Sequence, residues 1–154
     1  MLAYRVLKWH GRGVRSLHIV FSDGASRGNP GIGGCGAVLV DASGAVVATA
    51  KQFLGDNITN NAAEYHGLLL ALDLAKEHAI ESVEVQMDSE LVTKQMLGVY
   101  RVKHPVLQTL HQQAKAKASA LPRVQYRAIP RAANAVADQL ANDAIDTRPS
   151  STSS

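Results

Sequence analysis

Apolar positions along this chain fall into short runs and helical repeats separated by Gly, Pro, Asn and Ser. Residues 17–23, LHIVFSD, are rich in β-branched and aromatic side chains and meet Gly and Pro at once. That pattern predicts a strand entering a tight turn, with Asp23 at its end. GGCGAVLVD (33–41) and GAVVATAKQFL (44–54) are two further strands, joined through Ala42, Ser43 and Gly44 as a short hairpin. Three consecutive antiparallel strands are therefore expected. After the polar stretch GDNITNN, residues 62–78 carry Leu68, Leu69, Leu72 and Ala75 at helical spacing. Asn60 or Asn61 is placed to cap this helix, and Glu64 falls in its first turn. SVEVQMD (82–88) alternates like a strand and ends on Asp88; SELVTKQMLG (89–98) reads as a short helix closed by Gly98. HPVLQTLHQQAKAKASAL (104–121) is a longer amphipathic helix, and RVQYRAI (123–129) the last strand. A loop over 130–133 leads into a closing helix, Asn134 to Asp146, with Asp138 near its start. The order is βββαβααβα, an α/β fold.

Composition adds bounds. With 154 residues and 46% apolar content, the chain has the size and core of one ordinary domain. Residues 17–146 hold all of the pattern. Residues 1–16, with Arg5, Lys8, Trp9, Arg12 and Arg15, leave three readings open: a nucleic-acid-binding arm, an extra strand, or an extension with no role. Residues 147–154 end in RPSSTSS, which has nothing apolar to anchor it and is expected to be disordered. A formal charge of +3 and a pI near 9.2 fit a polyanionic partner without establishing one. The lone Cys35 excludes an intrachain disulfide and a Cys-based zinc site, and reads as a small buried hydrophobe. No run approaches the ~18 apolar residues of a membrane span, and no secretory leader is evident. The expectation is a soluble cytoplasmic protein with no membrane attachment.

Four acidic residues stand in four separate local signatures: Asp23 in DGASRGNPG, Glu64 in TNNAAEY, Asp88 in MDSELV and Asp138 in RAANAVAD. Each alone reads as a solvated turn residue or a charge at a helix N-terminus. Together, at strand ends and helix starts, they read as one carboxylate cluster assembled by folding. Hard divalent cations such as Mg²⁺ take oxygen ligands and are usually held by a few carboxylates together with substrate phosphates. Gathered carboxylates repel, which raises their pKa values and destabilises the empty site until cations neutralise them. Two cations sharing Asp23, with Glu64, Asp88 and Asp138 completing the shells, would activate water and support a leaving 3′ oxygen.

These four motifs, in this order on this frame, resemble a ribonuclease H of type 1 over roughly residues 17–146. The resemblance implies a mixed five-stranded sheet flanked by helices, with the carboxylates on the central strands and neighbouring helices. It implies endonucleolytic cleavage of the RNA strand of an RNA–DNA hybrid with Mg²⁺ (two ions with substrate) or Mn²⁺, leaving 3′-hydroxyl and 5′-phosphate ends. No obligate protein partner is implied. Substrate contacts carried over by position are Asn29, Thr59, Asn60, Asn61 and Asn134, with backbone amides of Gly24, Ala25 and Ser26; a 2′-hydroxyl read in the minor groove distinguishes RNA from DNA. Asn before a helix is equally a cap, and Gly-Asn-Pro-Gly equally a turn.

The chain departs from the family in three places. The loop before the last helix often carries a His; here Arg131 takes its place, and an Arg that stays protonated contacts phosphate or eases product release but cannot act as a base. None of the six His residues lies in that loop, and His66 should point away from Glu64. Position 90, often Gln in relatives, is Glu90. Only VYRVKHP (99–105) joins the two middle helices, so the basic protrusion of some relatives is absent. Hybrid affinity should then come from Arg27, Lys94, Arg101, Lys103, Lys115, Lys117 or the N-terminal arm, and depend strongly on salt. Relatives of this kind include some that also take double-stranded RNA, which stays open. Two competing classes remain: a catalytically silent hybrid-binding or RNA-binding module of the same fold, and a DNA-acting nuclease of the wider integrase and resolvase kinship.

Overall fold

The computed structural model describes residues 17–148; residues 1–16, with their three open readings, and residues 149–154, expected to be disordered, lie outside it. Five strands, β1 (His18–Gly28), β2 (Gly31–Val40), β3 (Val46–Ile58), β4 (Ser82–Met87) and β5 (Arg123–Ala128), form one sheet in the order β3-β2-β1-β4-β5. The first three pair antiparallel, whereas β1/β4 and β4/β5 pair parallel. Four α-helices complete the expected order: α1 (Asn60–Glu77), α2 (Glu90–Met96), α3 (Pro105–Ser119) and α4 (Ala135–Asp146).

Strand alternation sorts side chains onto the two faces of the sheet. Val20, Ala37, Leu39, Val83, Val85 and Met87 point to the face covered by α1, with α3 packed on α1, and Leu68, Leu72, Leu107 and Leu110 fill the space between. Each such fully buried aliphatic chain contributes about 1.5–3 kcal/mol by leaving water. Ile19, Val38 and Val40 point the other way, onto Ala137 and Leu140 of α4. None of the helices among the described residues is long and apolar enough to cross a membrane.

Several boundaries differ from expectation for identifiable reasons. β1 does not stop at Asp23 but runs on to Gly28, because β2 pairs with it over the whole length, from Ile19↔Val40 to Gly28↔Gly31. Its parallel neighbour β4 leaves at Ser22↔Met87. Asp23 therefore sits in mid-strand, at the point where the sheet opens on one side. Helix α1 begins earlier than expected: Thr59, not Asn60 or Asn61, is its cap, its hydroxyl accepting from the Ala62 N–H at 3.1 Å. Glu64 consequently starts the second turn rather than lying in the first. Residues 131–134 form a 3₁₀ turn instead of an open loop. Thr147 and Arg148, expected in the loose tail, close α4: their N–H groups donate to the Asp143 and Ile145 carbonyls. Cys35 is fully buried, as expected of a small hydrophobe, and burial pushes its thiol up to about 12.

Candidate active site

Two glycines bring β1 and α1 together. A Cβ on Gly24 would lie 2.1 Å from the Ala63 carbonyl, and one on Gly67 would lie 2.6 Å from the Asp23 carbonyl oxygen. With only hydrogen at these positions the strand and the helix touch backbone to backbone, which sets Asp23 beside Glu64. Gly67 escaped notice in the sequence, although a glycine inside a helical repeat signals close approach. Asp88 arrives from the end of β4, next to the strand carrying Asp23.

The outcome is a cluster: Asp23, Glu64 and Asp88 each offer one carboxylate oxygen, and these oxygens all lie within 4.8 Å of one another. Asp138, in the first turn of α4, stands against Asp23 without joining the three-way cluster. Its own position is braced by Asn142, one turn on, whose amide donates to the Asp138 carbonyl at 3.0 Å.

The electrostatics of this arrangement are unfavourable to bare charge. Burial first, then the charge of Asp88, then Asp138, push Asp23 up to about 7, against a hydrogen bond from the Gly24 N–H that favours its charged form. Burial, then Asp23 and Asp88, push Glu64 up to about 9. Glu64 also keeps a buried oxygen, Oε1, with no partner among the described residues. Partly buried, mutually repelling, oxygen-only donors with an unsatisfied lone pair suit a hard divalent cation: these three carboxylates can hold a metal ion.

The remaining expected residues divide into four kinds. Asn60, Asn61 and Arg131 are exposed, as a nucleic-acid contact requires. Asn29, also exposed, and the half-buried Ser26 and Thr59 are engaged in hydrogen bonds within the chain. The Asn29 side-chain Oδ1 accepts from the Asn60 N–H at 3.0 Å, and the Ser26 hydroxyl, within 2.5 Å of both the Gly28 and Ile58 carbonyls, can donate to either. These bonds tie the β1–β2 turn to the start of α1 and shape the rim beside Glu64. Gly24 and Ala25 continue β1 along that rim, half-buried. Asn134, expected to touch nucleic acid, is only 1% exposed, and its amide donates inward to the Ser22 carbonyl and to Asp88.

Three of the expected cations are likewise occupied. Arg27 pairs with Asp146 at 2.7 Å, Lys117 with Asp73 at 2.8 Å, and Lys94 with Glu90 at 3.4 Å while lying over the Tyr100 ring. The Glu90–Lys94 pair explains how an acid is accommodated at position 90: its charge is met one turn along its own helix. Arg101, Lys103 and Lys115 are exposed without an ion pair among the described residues.

Residues 21–144 match the family model described as reverse transcriptase-like. The bifunctional protein Rv2228c of Mycobacterium tuberculosis is 49% identical over 129 residues, 83% of this chain and 35% of that protein; the chain thus spans about a third of the mycobacterial relatives it matches. The structure of the N-terminal RNase H domain of Rv2228c, fused to maltose-binding protein, superposes with a TM-score of 0.81 at 48% identity, covering 85% of this chain and 94% of that one. RNase H1 of the halophilic archaeon Halobacterium salinarum gives 0.81 at 38% identity, covering 84% and 98%. LC11-RNase H1, solved in complex with an RNA/DNA hybrid, gives 0.79 at 40% identity, covering 84% and 96%. A shared sheet order, the matched segment and this level of identity agree: the chain belongs to the type 1 ribonuclease H family.

Proposed function

We propose that this chain is an endoribonuclease that hydrolyses the RNA strand of RNA–DNA hybrids in the cytoplasm. The observation that carries the reading is the convergence of Asp23, Glu64 and Asp88 on a single point, with Asp138 alongside. Bound at these carboxylates, two Mg²⁺ ions, or Mn²⁺ in their place, would supply an activated water and stabilise the leaving 3′ oxygen, giving 3′-hydroxyl and 5′-phosphate ends. The protein's part is to hold its acids in place. The Gly24 N–H fixes one oxygen of Asp23, the close approach of Gly24 to Ala63 and of Gly67 to Asp23 fixes Glu64 beside it, and Asp88 follows directly from β4.

Arg131, exposed at the head of the 3₁₀ turn that leads into α4, contacts a phosphate and eases product departure; always protonated, it takes no proton. Asn60 and Asn61 read the minor groove at the start of α1. With Arg27, Lys94 and Lys117 committed to internal pairs, Arg101, Lys103 and Lys115 join Arg131 in the described surface's phosphate contacts, without the basic protrusion of some relatives. Their number makes hybrid affinity modest and strongly dependent on salt.

The test is cleavage of an end-labelled RNA strand presented as single strand, RNA–RNA duplex and RNA–DNA hybrid, with Mg²⁺, Mn²⁺ or chelator. Metal-dependent cutting of the hybrid is the expected result, and the duplex lane decides whether double-stranded RNA is taken too. Asp23→Asn should abolish cutting and leave hybrid binding intact or tighter, since it removes one repelled charge. Binding without cutting under any metal would make the chain a silent hybrid-binding module and overturn the proposal.

A further inference from the structure

Asn134 breaks two local rules at once. It stands at the N-cap of α4, where an Asn side chain ordinarily accepts a hydrogen bond from the first turn, yet it makes no such bond. It is also buried to 1% exposure with its carbonyl oxygen, Oδ1, unpartnered among the described residues. A polar side chain that forgoes a cap and leaves a buried acceptor unsatisfied is destabilising locally, and such departures cluster at functional sites.

What it does instead is visible in its nitrogen. Nδ2 donates to the Ser22 carbonyl at 2.9 Å and to Asp88 Oδ2 at 3.2 Å. Both facing groups are acceptors, so only the amide nitrogen can be turned toward them. Ser22 directly precedes Asp23 on β1, Asp88 directly follows β4, and Asn134 itself lies one helical turn before Asp138. One side chain therefore joins the three elements that carry three of the four acids.

We infer that Asn134 is a positioning residue for the cation site: its amide fixes the rotation of the Asp88 carboxylate and the placement of α4 against β1 and β4. The inference rests on reading the carboxylate cluster as a cation site. A hydrogen bond to one carboxylate oxygen restricts turning about the Cβ–Cγ bond and so presents the other oxygen to a ligand in one orientation. Outer residues that orient metal-binding side chains in this way change metal affinity or activity by about 10–100-fold when removed.

Asn134→Ser separates positioning from fold maintenance. Serine is a good N-cap, so it supports α4 locally, but its hydroxyl is too short to reach both Ser22 and Asp88. Asn134→Ala removes the donor and offers no cap. Mg²⁺ titrated calorimetrically into chelator-treated protein should bind about 10-fold more weakly to both variants than to wild type. The kcat for hybrid cleavage should fall about 10–100-fold while KM for the hybrid stays within about 2-fold. Asn134→Ser should melt close to wild type in chelator.

Wild-type Mg²⁺ affinity and kcat in Asn134→Ser would overturn the inference, leaving Asn134 a packing residue; so would unfolding of both variants, which would make it an anchor of the fold. A wild-type protein that cuts no hybrid would sink the proposed function, yet the calorimetric comparison would still decide the role of Asn134.

Discussion

Replacing Glu64 by Gln should stabilise the metal-free protein, by an amount that depends on pH. In the fold, burial and the charges of Asp23 and Asp88 push Glu64 from 4.5 up to about 9. Below pH 4.5 the folded and unfolded chains both keep the proton, and the site carries no penalty. As pH rises above that, the unfolded chain releases its proton while the folded chain holds on, so stability falls until the folded group also ionises near pH 9. At pH 7, with roughly 1.4 kcal/mol for each unit between the ordinary value and the ambient pH, the loss is on the order of 3 kcal/mol. Asp23, pushed from 3.8 up to about 7, works in the same direction; because each acid is part of the other's cost, the figure for Glu64 alone sets the expectation.

Gln keeps the shape and has no proton to lose. In chelator, Glu64→Gln should melt with wild type at pH 4.5 and about 10 °C above it at pH 7, taking roughly 2–4 °C per kcal/mol for a chain of this size. Added Mg²⁺ should raise the wild type and largely close the gap, since a bound cation favours the ionised site. Thermal melts of both proteins at pH 4.5, 6, 7 and 8.5, with and without Mg²⁺, read this directly. A gap that does not widen with pH, or a variant less stable than wild type at pH 7, would refute the account of a strained, repelling site.

Three further outcomes follow from particular contacts. Gly24→Ala forces a methyl against the Ala63 backbone and should cost at least about 3 kcal/mol in urea melts, with loss of cleavage as Asp23 and Glu64 part; an unchanged melt would mean that strand and helix are not in contact. Tyr65→Phe removes the hydroxyl that donates to Gln95 Oε1 at 2.6 Å in the buried contact between α1 and α2, and should cost about 1–2 kcal/mol, read by the same melts; no loss would show that bond to be idle. Removing Arg101 and Lys103 together should weaken hybrid binding, measured by fluorescence anisotropy in the Asp23→Asn background. It should also lower the slope of log K against log salt by about 2, and an unaltered slope would place the phosphate contacts elsewhere.

Much of the molecule was legible in the amino-acid order because the relevant signals are local. Strand alternation, helical repeats and turn residues gave all nine expected elements in order, with boundaries off by a few residues. Asp23, Glu64, Asp88 and Asp138 were each flagged by immediate neighbours, and the first three do meet. Other residues carried ambiguous signals. Thr59, Asn60 and Asn61 are all competent caps in a row, and only where the helix actually starts, at Asn60, makes Thr59 the cap. Arg27 looks like a free cation in sequence, whereas its partner Asp146 is far along the chain.

The sequence by itself determined which elements form and which acids are available, since periodicity and capping chemistry act over a few residues. The tertiary structure alone decided distances and environments: that β1 outruns β4 and sets a buried Asp23 where the sheet opens, that two glycines press α1 onto the strand, and that Asn134 turns inward to Asp88. Burial and charge repulsion depend on neighbours brought together from opposite ends of the chain, so the raised proton affinity of Glu64 and Asp23 exists only once the fold has closed.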